Sequence, residues 1–382
     1  MLARKARARL VLLKARCLMS NSLLLSLLVL VVIASSCRSA SPPQDHLSPV
    51  TGKSKGPTGN DARRQQDAYE TPIVVAWLED QAISESSGLV ASQRNPGVLW
   101  THNDSGDGPF LYALDEQGQR RGVWRVSGAE AFDWEDIGVG PGPQPGKSYL
   151  YVGDIGDNEE ARRQITIYRV PEPEVTPADA KSGRKSLRVT EPAEPIRLQY
   201  PDGRHDAEAL LVHHVTGDIY VITKTLSTAP NVYKLQAPYS TSAVNRLRLL
   251  GVIRSVPTGL ITGGDIASDG NGVILCDYFR AYELKLPGDA SAFDEAWGQA
   301  ATIIDLGTRQ QGESVCYAAD SNSLYATSEK RPTPLIKVKR VRTGPVTRLG
   351  VGITRASSSL LLLPLNIPNL MGYKGWHDRC SS

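Results

Sequence analysis

A unit of three apolar runs, opened by a polar step that usually carries Asp or Glu, recurs five times along the 382-residue chain. Aligning these openings places five residues in one column: Ser87, Glu135, Glu208, Gly264 and Glu313. Successive members lie 48, 73, 56 and 49 residues apart, a span typical of one four-stranded blade. The recurrence therefore predicts an all-β fold, a β-propeller.

Short runs rich in β-branched and aromatic residues, separated by Gly, Asn, Asp and Pro, predict the strands inside each unit. Five units give five blades over residues 71–342. The 73-residue interval contains an excursion between Pro171 and Pro195, and six blades would follow if that excursion hid further strands. Residues 72–78 have the pattern of a fourth strand but precede the first unit. We expect them to pair with the C-terminal strands and close the ring.

The first 37 residues have the pattern of an export signal. Six basic residues precede an apolar core over residues 23–34, which is too short for a membrane span. The core ends in Ile33-Ala34-Ser35-Ser36-Cys37, which resembles the lipobox of bacterial lipoproteins, where the cysteine is lipidated. An ordinary secretory signal cleaved nearby is the alternative. The sequence thus predicts an exported protein of the cell envelope, anchored to a membrane through Cys37.

The segments that flank the repeat have a different composition. Residues 38–70 are rich in Ser, Pro, Gly, Gln and charge, which predicts a flexible tether. Residues 343–382 break the repeat and predict an irregular tail.

Removing the six basic residues of the leader from the net charge of +3 leaves −3 for the remainder. Without a basic patch, the exported part gives no reason to expect a nucleic-acid partner.

Two cysteines fall inside the repeat. Cys276 lies in a second strand and Cys316 in the first strand of the next unit. In an oxidising compartment they would either form a bridge between blades or remain as two buried thiols.

Acidic residues are expected to gather at one mouth of the propeller channel, because first strands begin there and second strands end there. Five candidate metal ligands lie at first-strand starts: Glu135, Asp136, Glu208, Asp265 and Glu313. Five candidate ligand-binding residues lie at or just after second-strand ends: Asn103, Asp104, Asp154, Asp157 and Asn158. Carboxylates this concentrated repel one another unless a divalent cation neutralises them, and oxygen ligands suit calcium. A ring of solvated acids that bond backbone amides is the alternative.

His102 ends a second strand beside Asn103 and Asp104, which makes it a candidate general base or ligand, against the alternative of a structural histidine. The sequence contains no Gly-x-Ser-x-Gly elbow, Walker-type loop or His-Glu-x-x-His pattern. Serine-nucleophile, nucleotide-binding and zinc-protease chemistry therefore have no support in the sequence.

Residues 84–89, 100–106, 133–137, 153–158 and 311–314 together resemble a group of exported bacterial β-propeller lipoproteins. More distantly they are similar to phytase-like and gluconolactonase-like propellers. The distant resemblance implies calcium at the channel mouth, with Glu135, Glu208 and Glu313 as candidate ligands, and hydrolysis of phosphoesters or lactones.

Two functions follow as hypotheses. One is a binding propeller that holds a small molecule, glycan or protein at the acidic mouth. The other is a calcium-dependent hydrolase of lactones or phosphoesters, with His102 or a carboxylate as base.

Overall fold

The computed structural model describes residues 68–341 of the chain. The predicted export signal with Cys37, residues 38–67 of the predicted tether and the predicted tail over residues 343–382 lie outside the described residues. Within residues 68–341, no helix is long and apolar enough to cross a bilayer.

Five sheets form the blades of a β-propeller, which confirms the predicted fold class. The chain enters through β1 (Ala68–Tyr69) and β2 (Ile73–Trp77). Blade 1 contains β3 (Ser86–Ala91), β4 (Val98–Asn103), β5 (Phe110–Asp115) and β6 (Arg120–Ser127). Blade 2 contains β7 (Trp134–Pro141), β8 (Ser148–Asp154) and β9 (Ile165–Pro171), followed by an excursion with β10 (Arg188–Pro192) and then by β11 (Glu194–Gln199).

The remaining blades repeat this order. Blade 3 contains β12 (Ala207–Val212), β13 (Ile219–Thr223) and β14 (Asn231–Leu235), then the two-residue β15 (Asn245–Arg246), which pairs with β11, and finally β16 (Arg248–Val252). Blade 4 contains β17 (Ile261–Ile266), β18 (Gly272–Asp277), β19 (Arg280–Lys285) and β20 (Thr302–Asp305). Blade 5 contains β21 (Gln311–Tyr317), β22 (Ser323–Glu329) and β23 (Pro334–Val341).

The N-terminal strands complete blade 5, as the sequence predicted. β2 runs antiparallel to β23, with Ile73 opposite Lys337 and Trp77 opposite Pro334. β1 extends the same pairing, so the first strand begins at Ala68, inside the last three residues of the predicted tether. The first and last parts of the described chain therefore share one sheet and close the ring.

The long excursion contains one additional strand rather than a sixth blade. A short 3₁₀ helix (Pro177–Lys181) precedes β10, and β10 pairs in parallel with β6 of blade 1. Blade 1 therefore gains a fifth strand from residues that leave blade 2. Five blades is the correct count.

The apolar core lies between neighbouring blades. Five clusters of buried side chains each combine residues of two adjacent sheets, and the cluster that includes Leu89 and Leu335 joins blade 5 to blade 1. Neighbouring blades cover both faces of the innermost strand of each blade. β12, for example, is buried at all six positions. This explains why the innermost strands have continuous apolar runs rather than apolar residues at every second position. Cys276 and Cys316 are both buried and free, so the structure contains no bridge between them.

The inner strands share an irregularity near their starts. In β7, Trp134 pairs with Asp154 and Asp136 pairs with Gly153, so Glu135 is an extra residue with no partner in the ladder. The corresponding shifts in β12, β17 and β21 make Glu208, Thr262 and Glu313 the extra residues. Such a β-bulge changes the direction in which the side chain of the extra residue points.

This register corrects the internal alignment of the five repeat units at one position. Thr262, not Gly264, occupies the position of Glu135 in blade 4. Asp265 consequently lies two positions deeper along its strand than Asp136 does. The adjacent glycines Gly263 and Gly264 have no side chains, so the sequence gives no alternating pattern at this point of the strand. For that reason the sequence alone misaligned the fourth unit.

Ring closure gives a stability prediction. A fragment of residues 78–341 lacks β1 and β2, which leaves the edge of β23 unpaired and uncovers apolar side chains such as Leu335. We expect this fragment to lose about 2–5 kcal/mol of unfolding free energy relative to a fragment of residues 68–341, comparable to the loss of a large core side chain. Urea denaturation monitored by circular dichroism measures the difference, and equal midpoints would contradict the closure.

Candidate functional site

Eight carboxyl groups from four of the five blades form one electrostatic network at the channel mouth, here called the mouth cluster. Its members are Glu85 and Asp104 of blade 1, Asp133 and Glu135 of blade 2, Asp206 and Glu208 of blade 3, and Glu313 and Glu329 of blade 5. In every member, burial raises the pKa most. The charge of at least one other member raises it further in all of them except Asp206, where the charge of Asp157 does so. The structure thus brings Glu135, Glu208 and Glu313 together.

Three members of the cluster form a tighter group. Asp104 follows the end of β4, whereas Asp133 and Glu135 flank the start of β7. One carboxylate oxygen from each of the three lies within 4.8 Å of the others. That spacing and an all-oxygen donor set are compatible with a hard divalent cation such as calcium. Sequence analysis had assigned Asp104 and Glu135 to candidate sites but not Asp133.

Gly156 closes one side of this three-carboxylate group. It lies in the loop after β8, and its amide donates a hydrogen bond to the carbonyl oxygen of Asp133 at 3.3 Å. A Cβ atom at Gly156 would lie 2.1 Å from Oε1 of Glu135 and 2.5 Å from Oδ2 of Asp133. Glycine therefore lets the loop pack closely against both carboxylates, and any Cβ here would displace them; the position that a Cβ would fill is called the Gly156 cradle.

The charges of the three carboxylates are poorly compensated. Burial raises the pKa of Asp133 to about 7, with further contributions from the charges of Asp104 and Glu208 and an opposing one from Arg162. Burial and the charge of Glu208 raise the pKa of Glu135 well above its ordinary value. Buried oxygen ligands that repel one another beside Gly156 fit a divalent cation better than they fit water alone.

Glu208 has an internal counter-ion. Its Oε1 lies 2.6 Å from Nζ of Lys224, and both side chains are largely buried. The ammonium also lies 5.4 Å from the centre of the Tyr278 ring. Burial raises the pKa of Glu208, and the charge of Lys224 opposes that rise. Glu208 therefore has a buried cationic partner within the protein.

Asp136 and Asp265 bond backbone amides of the inner strands. Asp136 accepts from the amides of Ile137, Leu210 and Gly264 at 2.8, 2.9 and 3.2 Å. These donors belong to β7, β12 and β17, so one carboxylate connects three blades across the channel axis. Asp265 similarly accepts from the amides of Ile266 and Tyr317 at 2.8 and 3.0 Å. Both acids bond backbone amides, as the alternative to a metal site expected, but they are buried rather than solvated.

Three candidates at second-strand ends also hold the loops of the mouth. Asn103 accepts from the amides of Ser84 and Glu85, each at 3.1 Å. Asp154 accepts from the amides of Phe132 and Asp133 at 3.2 and 3.3 Å. Asp157 accepts from the amides of Ala161 and Arg162, and Asn158 is exposed. Of this set, the structure joins only Asp104 to a group of carboxylates that could hold a metal within residues 68–341.

His102 is fully buried between blades 1 and 2. Its Nδ1 lies 2.9 Å from the carbonyl oxygen of Asn103, and its ring packs edge-on against Trp134. A Cβ at Gly88 would lie 2.5 Å from Nε2. Burial lowers the pKa of His102 to about 4, so the imidazole is neutral at pH 7. These contacts favour a structural role over that of a general base.

Comparisons with known proteins do not identify a family for this chain. No protein-family model matches it, and no curated protein does. Among solved structures, the chain is similar to a gluconolactonase from Xanthomonas campestris, at 10% identity and a TM-score of 0.35, over 71% of this chain and 89% of that one. So distant a similarity carries no inference about activity.

The Gly156 cradle gives the first prediction about the site. In Gly156→Ala, the added methyl group would lie among the oxygens of Glu135 and Asp133. We expect calcium affinity to fall at least about tenfold, measured by isothermal titration calorimetry. Gly288→Ala is the matched control, because a Cβ there meets no atom within 4 Å. Equal calcium affinities in the two variants would show that no cation occupies the cradle.

The pH dependence of stability gives a second prediction. The pKa of Asp133 is about 7 in the folded state and about 3.8 ordinarily, so the native state binds more protons than the unfolded state between those values. Without calcium, the melting temperature should therefore fall as pH rises from about 5 to about 8, and calcium should stabilise more at the higher pH. Asp133→Asn should flatten this slope. Stability that rises over this range without calcium would contradict the assignment.

Proposed function

We propose that this protein is an exported, lipid-anchored β-propeller that binds a ligand or partner protein at its acidic channel mouth, with calcium held by Asp104, Asp133 and Glu135. The observation that carries the proposal is the convergence of these three carboxylates around Gly156. Calcium would supply positive charge and open coordination positions for oxygen atoms of a small molecule, glycan or protein.

Export and anchoring are supported by the leader alone. A basic segment, a short apolar core and small residues before Cys37 favour cleavage and lipidation at that cysteine. Lipidation would hold the propeller at a membrane surface. Cys37→Ala should move the protein from the membrane fraction to the soluble fraction and remove incorporation of labelled fatty acid. Unchanged membrane association and labelling would contradict the anchor.

Binding is favoured over hydrolysis by the contacts at the mouth. His102, the candidate base for a calcium-dependent lactone or phosphoester hydrolase, is fully buried and bonded to backbone. A hydrolase would therefore have to use a mouth carboxylate as its base. Hydrolysis remains the alternative function, since a cation of this kind also polarises a carbonyl or phosphoryl oxygen.

Calcium titration of the Glu135→Gln variant tests the proposed function. The substitution removes one charged ligand but keeps the shape of the side chain, so calcium affinity should fall about tenfold or more. Glu79→Gln is the control, because Glu79 is exposed and lies outside the mouth cluster. Wild-type protein that neither binds calcium nor melts at a higher temperature in its presence would refute the cation site.

Activity screens separate the two functions. Binding without chemistry predicts no calcium-dependent turnover of lactones or phosphoesters. Turnover that requires calcium and disappears in Glu135→Gln, while persisting in Glu79→Gln, would instead establish the hydrolase.

A further inference from the structure

The excursion from blade 2 reaches the loop of blade 1 that carries Asp104. Arg184, in the turn between the 3₁₀ helix and β10, places one guanidinium nitrogen 2.7 Å from Oδ1 of Asp107. The same nitrogen donates to the hydroxyl of Tyr112 at 2.9 Å, and the other terminal nitrogen donates to the carbonyl oxygen of Asp107 at 3.2 Å. The guanidinium also lies over the ring of Phe110, 4.0 Å from its centre. One side chain thus contacts three residues at or near the end of this loop.

Asp107 connects this contact to the candidate cation site. Its Oδ2 accepts from Nδ2 of Asn103 at 2.9 Å and from the hydroxyl of Tyr112 at 3.0 Å. Asn103 precedes Asp104, and the amide of Asp104 donates to the carbonyl of Glu85 at 3.0 Å. Asp104 therefore lies in a short loop whose later part is fixed by Asp107. The loop also contains Gly106 and Gly108, both at positive φ, which adds conformational freedom in the unfolded chain.

The excursion is itself attached firmly to blade 1. The hydroxyl of Ser182 accepts from the amide of Val123 at 2.8 Å, and that of Thr190 accepts from the amide of Ser127 at 3.1 Å. Thr190 lies within β10, which pairs with β6. Arg184 therefore extends from a supported segment toward a loop that is exposed at Ser105 and Gly106.

We propose that Arg184 is a positioning residue for the cation site: it holds the loop of residues 104–109 so that Asp104 stays beside Asp133 and Glu135. The inference rests on the proposed function, because it assumes that these three carboxylates bind a cation. Holding a ligand in its binding geometry before the cation arrives removes the entropy cost of ordering the loop on binding. The excursion that lengthens the second repeat interval would then support the loop that blade 1 contributes to the channel mouth.

The contacts require arginine rather than any cation. A planar guanidinium satisfies Asp107 and Tyr112 together while stacking on Phe110, whereas an ammonium offers a point charge without the stacking surface. We therefore expect Arg184→Lys to restore only part of what Arg184→Gln removes.

The experiment compares Arg184→Gln, Arg184→Lys and a control, Arg120→Gln, in the purified protein. Arg120 is a matched control because its ion pair with Asp80 is 3.0 Å long and its side chain is 37% exposed, as is that of Arg184. Calorimetry with calcium chloride measures the affinity. Hydrogen exchange without calcium measures the protection of the amides of residues 104–108.

The proposal predicts that Arg184→Gln weakens calcium binding about tenfold and accelerates exchange in residues 104–108. Arg184→Lys should fall between Arg184→Gln and wild type, and Arg120→Gln should match wild type in both measurements. If wild type binds calcium but Arg184→Gln binds it equally well, the positioning role is wrong while the proposed function stands. If wild type binds no calcium, the proposed function fails and the positioning role fails with it, whatever the exchange rates show.

Discussion

Crowding of negative charge around one end of a closed ring is the constraint on which the rest of the structure depends. Each inner strand starts at the same mouth, so any acid at that point of the repeat must face acids of other blades. Burial and repulsion from neighbouring carboxylates raise the pKa of all eight carboxyl groups of the mouth cluster. Lys224 offsets Glu208, and Arg162 opposes the rise at Asp133. Such arrangements are costly, and they concentrate at functional sites.

The repeat separates two uses of acidic residues along the same strand. At the bulge, Glu135 turns toward the mouth as an extra residue in the ladder. The next residue, Asp136, bonds the amides of three inner strands and joins blades 2, 3 and 4 at the axis. A shift of one position thus converts a carboxylate from a candidate cation ligand into a structural connection. The ring that Asp136 stabilises is also what fixes the positions of the mouth carboxylates.

The sequence predicted the fold well because each level of its pattern repeats. Strand runs, turns and the acidic step recur five times, and residues 72–78 had a strand pattern that could only be placed at the ring closure. Register was harder, because Gly263 and Gly264 remove the side-chain signal in unit four. The role of the excursion was not predictable, since its strand pairs with blade 1 rather than with the blade it leaves.

The candidate site could be predicted only in part, because it depends on contacts between residues that are far apart in the sequence. The column of acids indicated Glu135, Glu208 and Glu313, and the structure groups them in the mouth cluster. Nothing in the sequence showed that Lys224 would pair with Glu208, or that Asp133 would join Asp104. Gly156 had a visible signal, a glycine between two aspartates after a strand, but its closeness to Glu135 depends on the folding of a loop over the start of β7.

The most direct test of the central claim is the crystal structure of the protein grown with calcium. The cradle hypothesis predicts a calcium ion bound by oxygens of Asp104, Asp133 and Glu135, at about 2.3–2.6 Å from each ligand oxygen, beside the backbone of Gly156. A structure in which no cation lies among these carboxylates under saturating calcium, or in which calcium binds only elsewhere on the protein, would contradict it.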